Sequence, residues 1–356
     1  FTFLASVGWL GAHIVGGGAY LHYATGIPES WARASIALGF GIYAMIGGYR
    51  AVVWTDTLQA FVLFGGFLLT AVAALNLVGG WDGLQALNAE LAAEPGNATV
   101  LPHLSLVVVI AVGVLGTPAF RQRIYSGNSV REVRKAYVTS AVLYMGFAAL
   151  PAVIGMAAYQ SFPDLANQDL AFPSLATSTL PAALGIIVLL AGLSATLSSA
   201  SSDAIAGVTT VVRDLYKLAF KKMPPPQRVV RISRLALAVT TGAALAMALA
   251  ANNIIDYIKT MVSLLLTGMC VVGVLGRTWP RYNAAGAIAS LLGASATALL
   301  IQSNQGWSAH WGNPVLPSLA VSAGLGILVS LLTRPDRVSH AQAIEILAKE
   351  RGQMED

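Results

Sequence analysis

The residues best suited to chemistry in this sequence are hydroxyl side chains crowded into one short stretch. Residues 194–207 read SATLSSASSDAIAG, and apolar segments flank them on both sides. Successive residues of an α-helix are about 100° apart, so several of these side chains share one face. That face carries Ala195, Ser198, Ser199 and Ser202, with Ser201 at its edge. Hydroxyl and carbonyl oxygens suit a weakly held hard cation such as Na⁺. The alternative is that the serines only pack against neighbouring helices.

Two carboxylates lie in apolar surroundings and are further candidates. Asp56 lies within GGYRAVVWTDTLQAFVLFGGF, about 8 Å into a helix that we expect to start at residue 51. A carboxylate inside a membrane is costly, which makes it a functional candidate. The alternative is a helix-end carboxylate that is wetted by the cytoplasm and paired with Arg50. Asp203 faces either a water-filled cavity or a neighbouring helix. His13 and His22 are interpreted as helix-packing or interface residues.

The composition indicates which elements must position these residues. The chain has 356 residues, of which 56% are hydrophobic and only 10% are charged. Globular proteins have about 25% charged residues, so the chain is expected to be an all-α integral membrane protein. We expect ten membrane-spanning helices: 1–24, 31–48, 51–78, 103–119, 131–159, 181–216, 228–250, 254–275, 281–302 and 314–333. Residues 334–356 form a short polar tail.

Charge placement supports this count of ten. If the loop 217–228 is cytoplasmic and the sides alternate, every Lys and Arg except Arg33 and Lys259 falls inside. The outside loops carry acidic residues instead: Glu29, Asp82, Glu90, Glu94, Asp164, Asp169 and Asp256. The protein is therefore expected in the plasma membrane, with both ends of the chain in the cytoplasm. The net charge of +5 reflects this topology and is no indication of nucleic-acid binding.

Four stretches, taken in chain order, resemble the sodium/solute symporter family, which has the LeuT-type inverted-repeat fold. The stretches are GGYRAVVWTDTLQ (47–59), GTPAFRQR (116–123), ATLSSASSDAIAGVTTVVRDLYK (195–217) and RTWPRYNAAGA (277–287). The similarity covers essentially the whole chain. It implies that residues 1–333 form one transporter domain, with the remainder of the first repeat at 1–78. The second repeat then occupies 103–275, and two C-terminal helices occupy 281–333. The chain begins FTFLASVGWLG, which we interpret as an N-terminal truncation that removes the first helices of the family.

The resemblance also implies ligands for Na⁺, the co-transported ion, with no organic cofactor. The common sodium site of the family takes the Ala195 carbonyl and the hydroxyls of Ser198 and Ser199, with further ligands from the missing first core helix. A second sodium site, present in some members, matches Asp56, Ser201 and Ser202, with Ser198 shared. Asp56 and Ser202 could meet only if the serine helix projects beyond the bilayer into the cytoplasm, since Asp56 is expected near a helix end.

A break in the sixth core helix is expected near Gly113, Gly116 and Pro118. Broken helices expose backbone groups, which a membrane tolerates only beside a cavity, so the substrate is expected there. Gly116, Thr117, Pro118 and Phe120 are the candidates for the pocket or gate, although Thr117 and Phe120 are better explained as ordinary lining. The proline-transporting branch has an aromatic residue where this chain has Val114, which argues against proline.

The sequence thus predicts a secondary active transporter that couples Na⁺ entry to the symport of a small organic solute by alternating access. Its partners are the solute, the ion and the lipid bilayer. Two alternatives stay open: a proton-coupled carrier that uses Asp56 or Asp203 as its relay, and a membrane sensor on the same scaffold. An enzyme is not expected, because the sequence shows neither a metal cluster nor a nucleophile–base pair.

Overall fold

The structure is a computed structural model that describes residues 1–93, 100–125, 127–165 and 167–335, together with 338, 342–343 and 345–346; at 47–53, 55 and 125 it describes the backbone only. The helices of these residues are α1 (Thr2–Thr25), α2 (Glu29–Leu77), α3 (Gly80–Ala93), α4 (Val100–Gly116), α5 (Pro118–Tyr125), α6 (Val130–Ser161), α7 (Ala171–Thr179), α8 (Ala182–Thr209), α9 (Tyr216–Phe220), α10 (Pro226–Leu249), α11 (Ile254–Met261), α12 (Thr267–Thr278), α13 (Ala284–Ser303), α14 (Gln305–Trp311) and α15 (Val315–Leu332). Two π-helical turns, Thr210–Leu215 and Val262–Leu266, join α8 to α9 and α11 to α12.

The number of membrane-spanning helices differs from the ten expected. Within the described residues, seven helical segments are long and apolar enough to cross a bilayer, or eight if α4 and α5 together form one broken span. Helix α1 has 24 residues but is not among the seven. Its glycines and two histidines lower its hydropathy. The count of ten is therefore not confirmed, whereas the all-helical membrane architecture is.

The expected break at GGYR is absent from the backbone. One helix, α2, runs from Glu29 to Leu77 over 49 residues and continues through residues 47–50. Each glycine destabilises a helix by about 1 kcal/mol relative to alanine, whereas a proline destabilises it by about 3 kcal/mol. The two glycines of GGYR together therefore cost less than one proline. Asp56 is therefore placed well inside a continuous helix. A contact between Asp56 and Ser202 stays a prediction.

The described chain divides into two compact units. The smaller unit contains Phe1, Leu101–Gly116 and Lys259–Asp356, and the larger unit contains Thr2–Val100 and Thr117–Ile258. The division into repeats at 1–78 and 103–275 stays a prediction.

The larger unit is built around α8. One face of α8 contributes to a core with α1, α2 and α10, in which Leu10, Phe40, Ala204 and Leu237 are buried. Another part of α8 packs in a second core with α2, α6 and α7. Small residues permit this close packing: a Cβ added at Gly192 would lie 2.1 Å from the Tyr20 ring of α1. The serine-rich stretch is therefore surrounded by helices that come from distant parts of the sequence.

The smaller unit is held together by α12, α13 and α15. Asn283 caps the N-terminus of α13 by accepting a hydrogen bond from the Gly286 amide, and its Nδ2 donates to Thr333 Oγ1 at 2.8 Å. Ser290 and Ser322 exchange hydroxyl-to-carbonyl hydrogen bonds of 2.9 and 2.8 Å between α13 and α15. Small side chains thus join these helices, as expected of a membrane interface.

Arg33, one of the two basic residues that the charge pattern placed outside, has a structural explanation. It is buried, and its Nη1 donates to the carbonyls of Ala248 and Ala251 at 2.6 and 2.9 Å. Its Nη2 pairs with Glu29 one turn earlier. A cation at a helix C-terminus satisfies carbonyls that lack intrahelical partners, so Arg33 caps the end of α10.

Candidate cation site

The structure brings Asp56 of α2 to the serines of α8. Its carboxylate interacts with the Ser198 hydroxyl and, more weakly, with that of Ser201. Ser201 is only 1% exposed, and its single proton is donated to the Ser198 carbonyl at 2.7 Å. The Ser201 hydroxyl therefore lies within reach of both the Ser198 carbonyl and the Asp56 carboxylate. Within the described residues, Asp56 Oδ1 is buried and has no hydrogen-bond partner.

These contacts create a small cluster of oxygen atoms in which one carboxylate oxygen has no hydrogen-bond donor among the described residues. A buried carboxylate oxygen without a donor is unfavourable, and buried polar atoms are normally paired. A hard cation would remove this cost, since carboxylate and hydroxyl oxygens are the ligands that such ions prefer. We refer to Asp56, Ser198 and Ser201 together as the carboxylate–serine cluster.

Ser202, also assigned to the second site, has a different partner. Arg123 of α5 donates from Nη2 to Ser202 Oγ at 2.9 Å. The Arg123 guanidinium also acts electrostatically on Asp56 and Asp203. A cationic side chain thus stands beside the carboxylate–serine cluster. Arg123 is not among the residues predicted for the site, although it lies in the motif GTPAFRQR that resembles the family.

The residues assigned to the common sodium site lie along the same helix. Ala195 and Ser198 are half-buried, whereas Ser199 is exposed. The described residues therefore form one side of such a site and do not enclose an ion at Ser199. Ser198 belongs to both candidate sites, because its hydroxyl interacts with Asp56.

Asp203 lies on another face of α8 and contacts a neighbouring helix. Its Oδ2 is 3.1 Å from His13 Nε2 of α1, and the two side chains are 8% and 19% exposed. Of the two alternatives for Asp203, the structure favours the bond to a neighbouring helix. His13 has a more specific contact than the packing role assigned to it.

The expected helix break is confirmed. Helix α4 ends at Gly116, α5 begins at Pro118, and Thr117 between them is not helical. Proline lacks a backbone donor and is well suited to the first position of a new helix. Gly116, Thr117 and Pro118 are buried, while Phe120 is half-buried and its carbonyl accepts a hydrogen bond from Tyr137 at 2.9 Å. Helix α5 packs on α8 and α1, which brings Arg123 to Ser202.

Known proteins resemble the chain over most of its length. The sodium/glucose cotransporter of Vibrio parahaemolyticus is 28% identical over 323 residues, which are 80% of this chain and 59% of that protein. The sodium/pantothenate symporter of Escherichia coli (strain K12) is 27% identical over 335 residues, 90% of this chain and 68% of that protein. The chain thus spans about three fifths to two thirds of the length of these relatives.

A solved structure establishes the fold. The chain superimposes on a Na⁺-coupled sialic acid symporter, solved in a substrate-bound outward-open state, with a TM-score of 0.73 and 20% identity. The match covers 93% of this chain and 74% of the symporter. The expected LeuT-type transporter fold is therefore confirmed. The family model of the sodium:solute symporters matches residues 1–293, and the chain belongs to the sodium:solute symporter family.

Proposed function

We propose that this chain forms most of a secondary active transporter that couples the entry of Na⁺ to the uptake of a small organic solute. Membership of the family and relatives named for sodium-coupled symport support this assignment. The observation that carries it is the carboxylate–serine cluster, in which a buried carboxylate oxygen has no donor among the described residues.

In this proposal, Na⁺ is bound as cargo at two places along α8. Ala195, Ser198 and Ser199 provide one side of the common site. Asp56, Ser198, Ser201 and Ser202 provide the second, where the carboxylate neutralises the charge of the ion. Ser202 joins the second site once its hydroxyl is released by Arg123.

The substrate pocket in this proposal lies at the break between α4 and α5. Gly116, Thr117, Pro118 and Phe120 contribute to it, because transporters with discontinuous helices bind their substrates beside the break. The solutes after which the relatives are named are glucose, pantothenate and proline, and these differ widely in charge and shape. The relatives support only the class of small organic solutes as substrates.

Energetically, each sodium ion that enters down a membrane potential of 100 mV contributes about 2.3 kcal/mol. Sodium binding raises the affinity for the solute, and by reciprocity the solute raises the affinity for sodium. Movement of one repeat against the other then opens the pocket to the inside. The proposed location is the plasma membrane, with both ends of this chain in the cytoplasm.

The test is solute uptake by the full-length protein in proteoliposomes, measured with a panel of labelled sugars, amino acids and carboxylates. An imposed sodium gradient is expected to drive accumulation of one class. Uptake that is driven by a pH gradient and is independent of Na⁺ would instead establish the proton-coupled alternative.

The second site is tested by Asp56→Asn, which keeps the shape of the side chain but removes its charge. We expect the number of sodium ions moved per solute to fall by about one, measured by parallel ²²Na⁺ and solute fluxes. Asp82→Asn, at an exposed carboxylate of α3, is the matched control and should behave like the wild type. An unchanged ratio in Asp56→Asn would disprove the second site.

A further inference from the structure

A hydrogen bond between two side chains connects α1 to the serine helix. His13 Nε2 and Asp203 Oδ2 are 3.1 Å apart, in a region where both helices contribute to a buried core. The two residues are separated by 190 positions in the sequence. The Arg123 guanidinium of α5 also acts electrostatically on Asp203, while its Nη2 donates a hydrogen bond to Ser202. His13 is therefore the direct partner of Asp203.

The angular positions on α8 place this contact opposite the carboxylate–serine cluster. At about 100° per residue, Asp203 lies about 140° round the helix from Ser198 and about 160° from Ser201. Ser198 and Ser201 turn towards Asp56 of α2, while Asp203 turns towards His13 of α1. Polar contacts thus hold α8 from two opposite sides.

Elsewhere α1 packs on α8 through apolar side chains and glycines. Gly16 and Gly17 face Thr196 of α8, and an added Cβ at either would lie 3.3–3.4 Å from that side chain. Glycines allow close approach but provide no side chain that locks into a groove. The hydrogen bond between His13 and Asp203, by contrast, is directional and joins one particular atom of each helix.

We propose that His13 is a positioning residue for the sodium ligands of α8, an inference that rests on the proposed function. By holding Asp203, His13 fixes the rotation of α8 at which Ser198 and Ser201 face Asp56. Because α8 is also held in two apolar cores, we expect loss of this contact to cause a small rotation that moves Ser198 and Ser201 relative to Asp56. His13 itself does not touch the ion.

The experiment compares two substitutions of His13 in the full-length protein. His13→Leu removes the hydrogen bond to Asp203, whereas His13→Gln keeps an N–H at a similar distance from the backbone. We expect His13→Leu to raise the sodium concentration for half-maximal uptake about five- to tenfold, as for a modest coupling between sites. The maximal rate per molecule at the membrane should change less than about twofold, and His13→Gln should restore the sodium dependence. A loss confined to the maximal rate, or no rescue by glutamine, would contradict the proposal.

His22→Leu is the control on the same helix, because His22 contacts the Ile27 carbonyl and not α8. It should leave the sodium dependence unchanged. If His13→Leu does not reach the membrane, His13→Asn replaces it, since its shorter amide does not reach Asp203. Equal sodium dependence of the Asn and Gln variants would overturn the proposal.

Combination with Asp56→Asn separates this proposal from the proposed function. If His13 acts through the carboxylate–serine cluster, His13→Leu should cause no further shift in the Asp56→Asn background. A shift in Asp56→Asn but none in His13→Leu would overturn the role of His13 and leave the cation site intact. No shift in either variant would overturn the cation site itself.

Discussion

Ser198 is the residue on which the two candidate sodium sites converge. Its hydroxyl interacts with Asp56, and its carbonyl accepts a hydrogen bond from Ser201. The family pattern also assigns Ser198 to the common site. Ser201 is almost fully buried, whereas Ser199 is exposed. Neighbouring serines on one helix thus have different surroundings, and substitutions at them should have different consequences.

Replacing Ser198 and Ser199 separately by alanine tests these assignments. Both variants should raise the sodium concentration for half-maximal uptake, and Ser198→Ala more strongly because it removes an oxygen from both sites. A lost ligand to a charged group corresponds to about 1.5–3 kcal/mol, or roughly ten- to a hundredfold in affinity. The measurement is solute uptake against sodium concentration. Ser194→Ala serves as the control, and unchanged sodium dependence in both test variants would remove the assignment.

Arg123 adds a repulsive element at the residue scale. Its guanidinium is bound to Ser202 and acts on Asp56, so a sodium ion at the carboxylate–serine cluster must compete with a fixed positive charge. Such competition lowers the affinity for the ion. Weak affinity suits a carrier that must release its cargo in each cycle.

At the scale of elements, the end of α4 depends on close contact with the π-helical turn at 262–266. A Cβ added to Gly116 would lie 2.9 Å from the Leu266 carbonyl, and this backbone atom cannot turn aside as a side chain would. π-Helical turns are frequent at functional sites, because they interrupt the regular hydrogen bonding of a helix. Two irregular backbone segments therefore meet inside the smaller unit.

Gly116→Ala should destabilise the protein because of this contact, even though alanine is the better helix former. We expect a loss of about 1–3 kcal/mol, as for overpacking, measured as a lower melting temperature in detergent. Gly146→Ala in α6 is the matched control, since nothing lies within 4 Å of its added Cβ. There alanine should stabilise the helix by about 1 kcal/mol. A melting temperature for Gly116→Ala at or above that of the control would contradict the packing argument.

Helix α2 shows how far an element can depart from its sequence signals. The glycines, tyrosine and arginine of GGYR suggested a turn, yet the backbone continues as helix across them. Helix α2 packs on α1, α6, α8 and α10. Packing along so much of its length outweighs the modest local cost of glycine. The same continuity places Asp56 in the interior of a helix.

At the scale of the whole molecule, the distribution of charge predicts how the chain crosses the membrane. Arg33 is an apparent exception to the positive-inside rule. Its guanidinium donates a hydrogen bond to a carbonyl at the end of α10 and pairs with Glu29. The orientation with both ends in the cytoplasm assumes ten crossings, a number that the continuous helix α2 does not confirm. It therefore stays a proposal that labelling can test.

The orientation is tested by cysteine labelling. The only cysteine, Cys270, is buried and can be replaced by alanine to give a silent background. In intact cells, an impermeant maleimide should label Gln168→Cys but not Lys222→Cys, because we place residue 222 in the cytoplasm. Permeabilised cells should label both, as both positions are exposed. Labelling of Lys222→Cys in intact cells would reverse the proposed topology.

The sequence by itself determined the class of the protein and the faces of its helices. Hydropathy identifies membrane segments, and the helical repeat aligns the serines, because both properties depend only on neighbouring residues. The helix break at Gly116 and Pro118 was likewise predictable, since proline and glycine act locally. Four motifs in order were enough to predict the family.

Only the tertiary structure decided which faces meet. His13 and Asp203 are distant in sequence, and nothing local to either residue identifies the other. The bond of Arg123 to Ser202 and the continuity of α2 likewise depend on packing between distant segments. Periodicity fixes the direction of each side chain relative to its own helix. The partner in that direction follows from the simultaneous packing of all the helices, which a single sequence read locally does not encode.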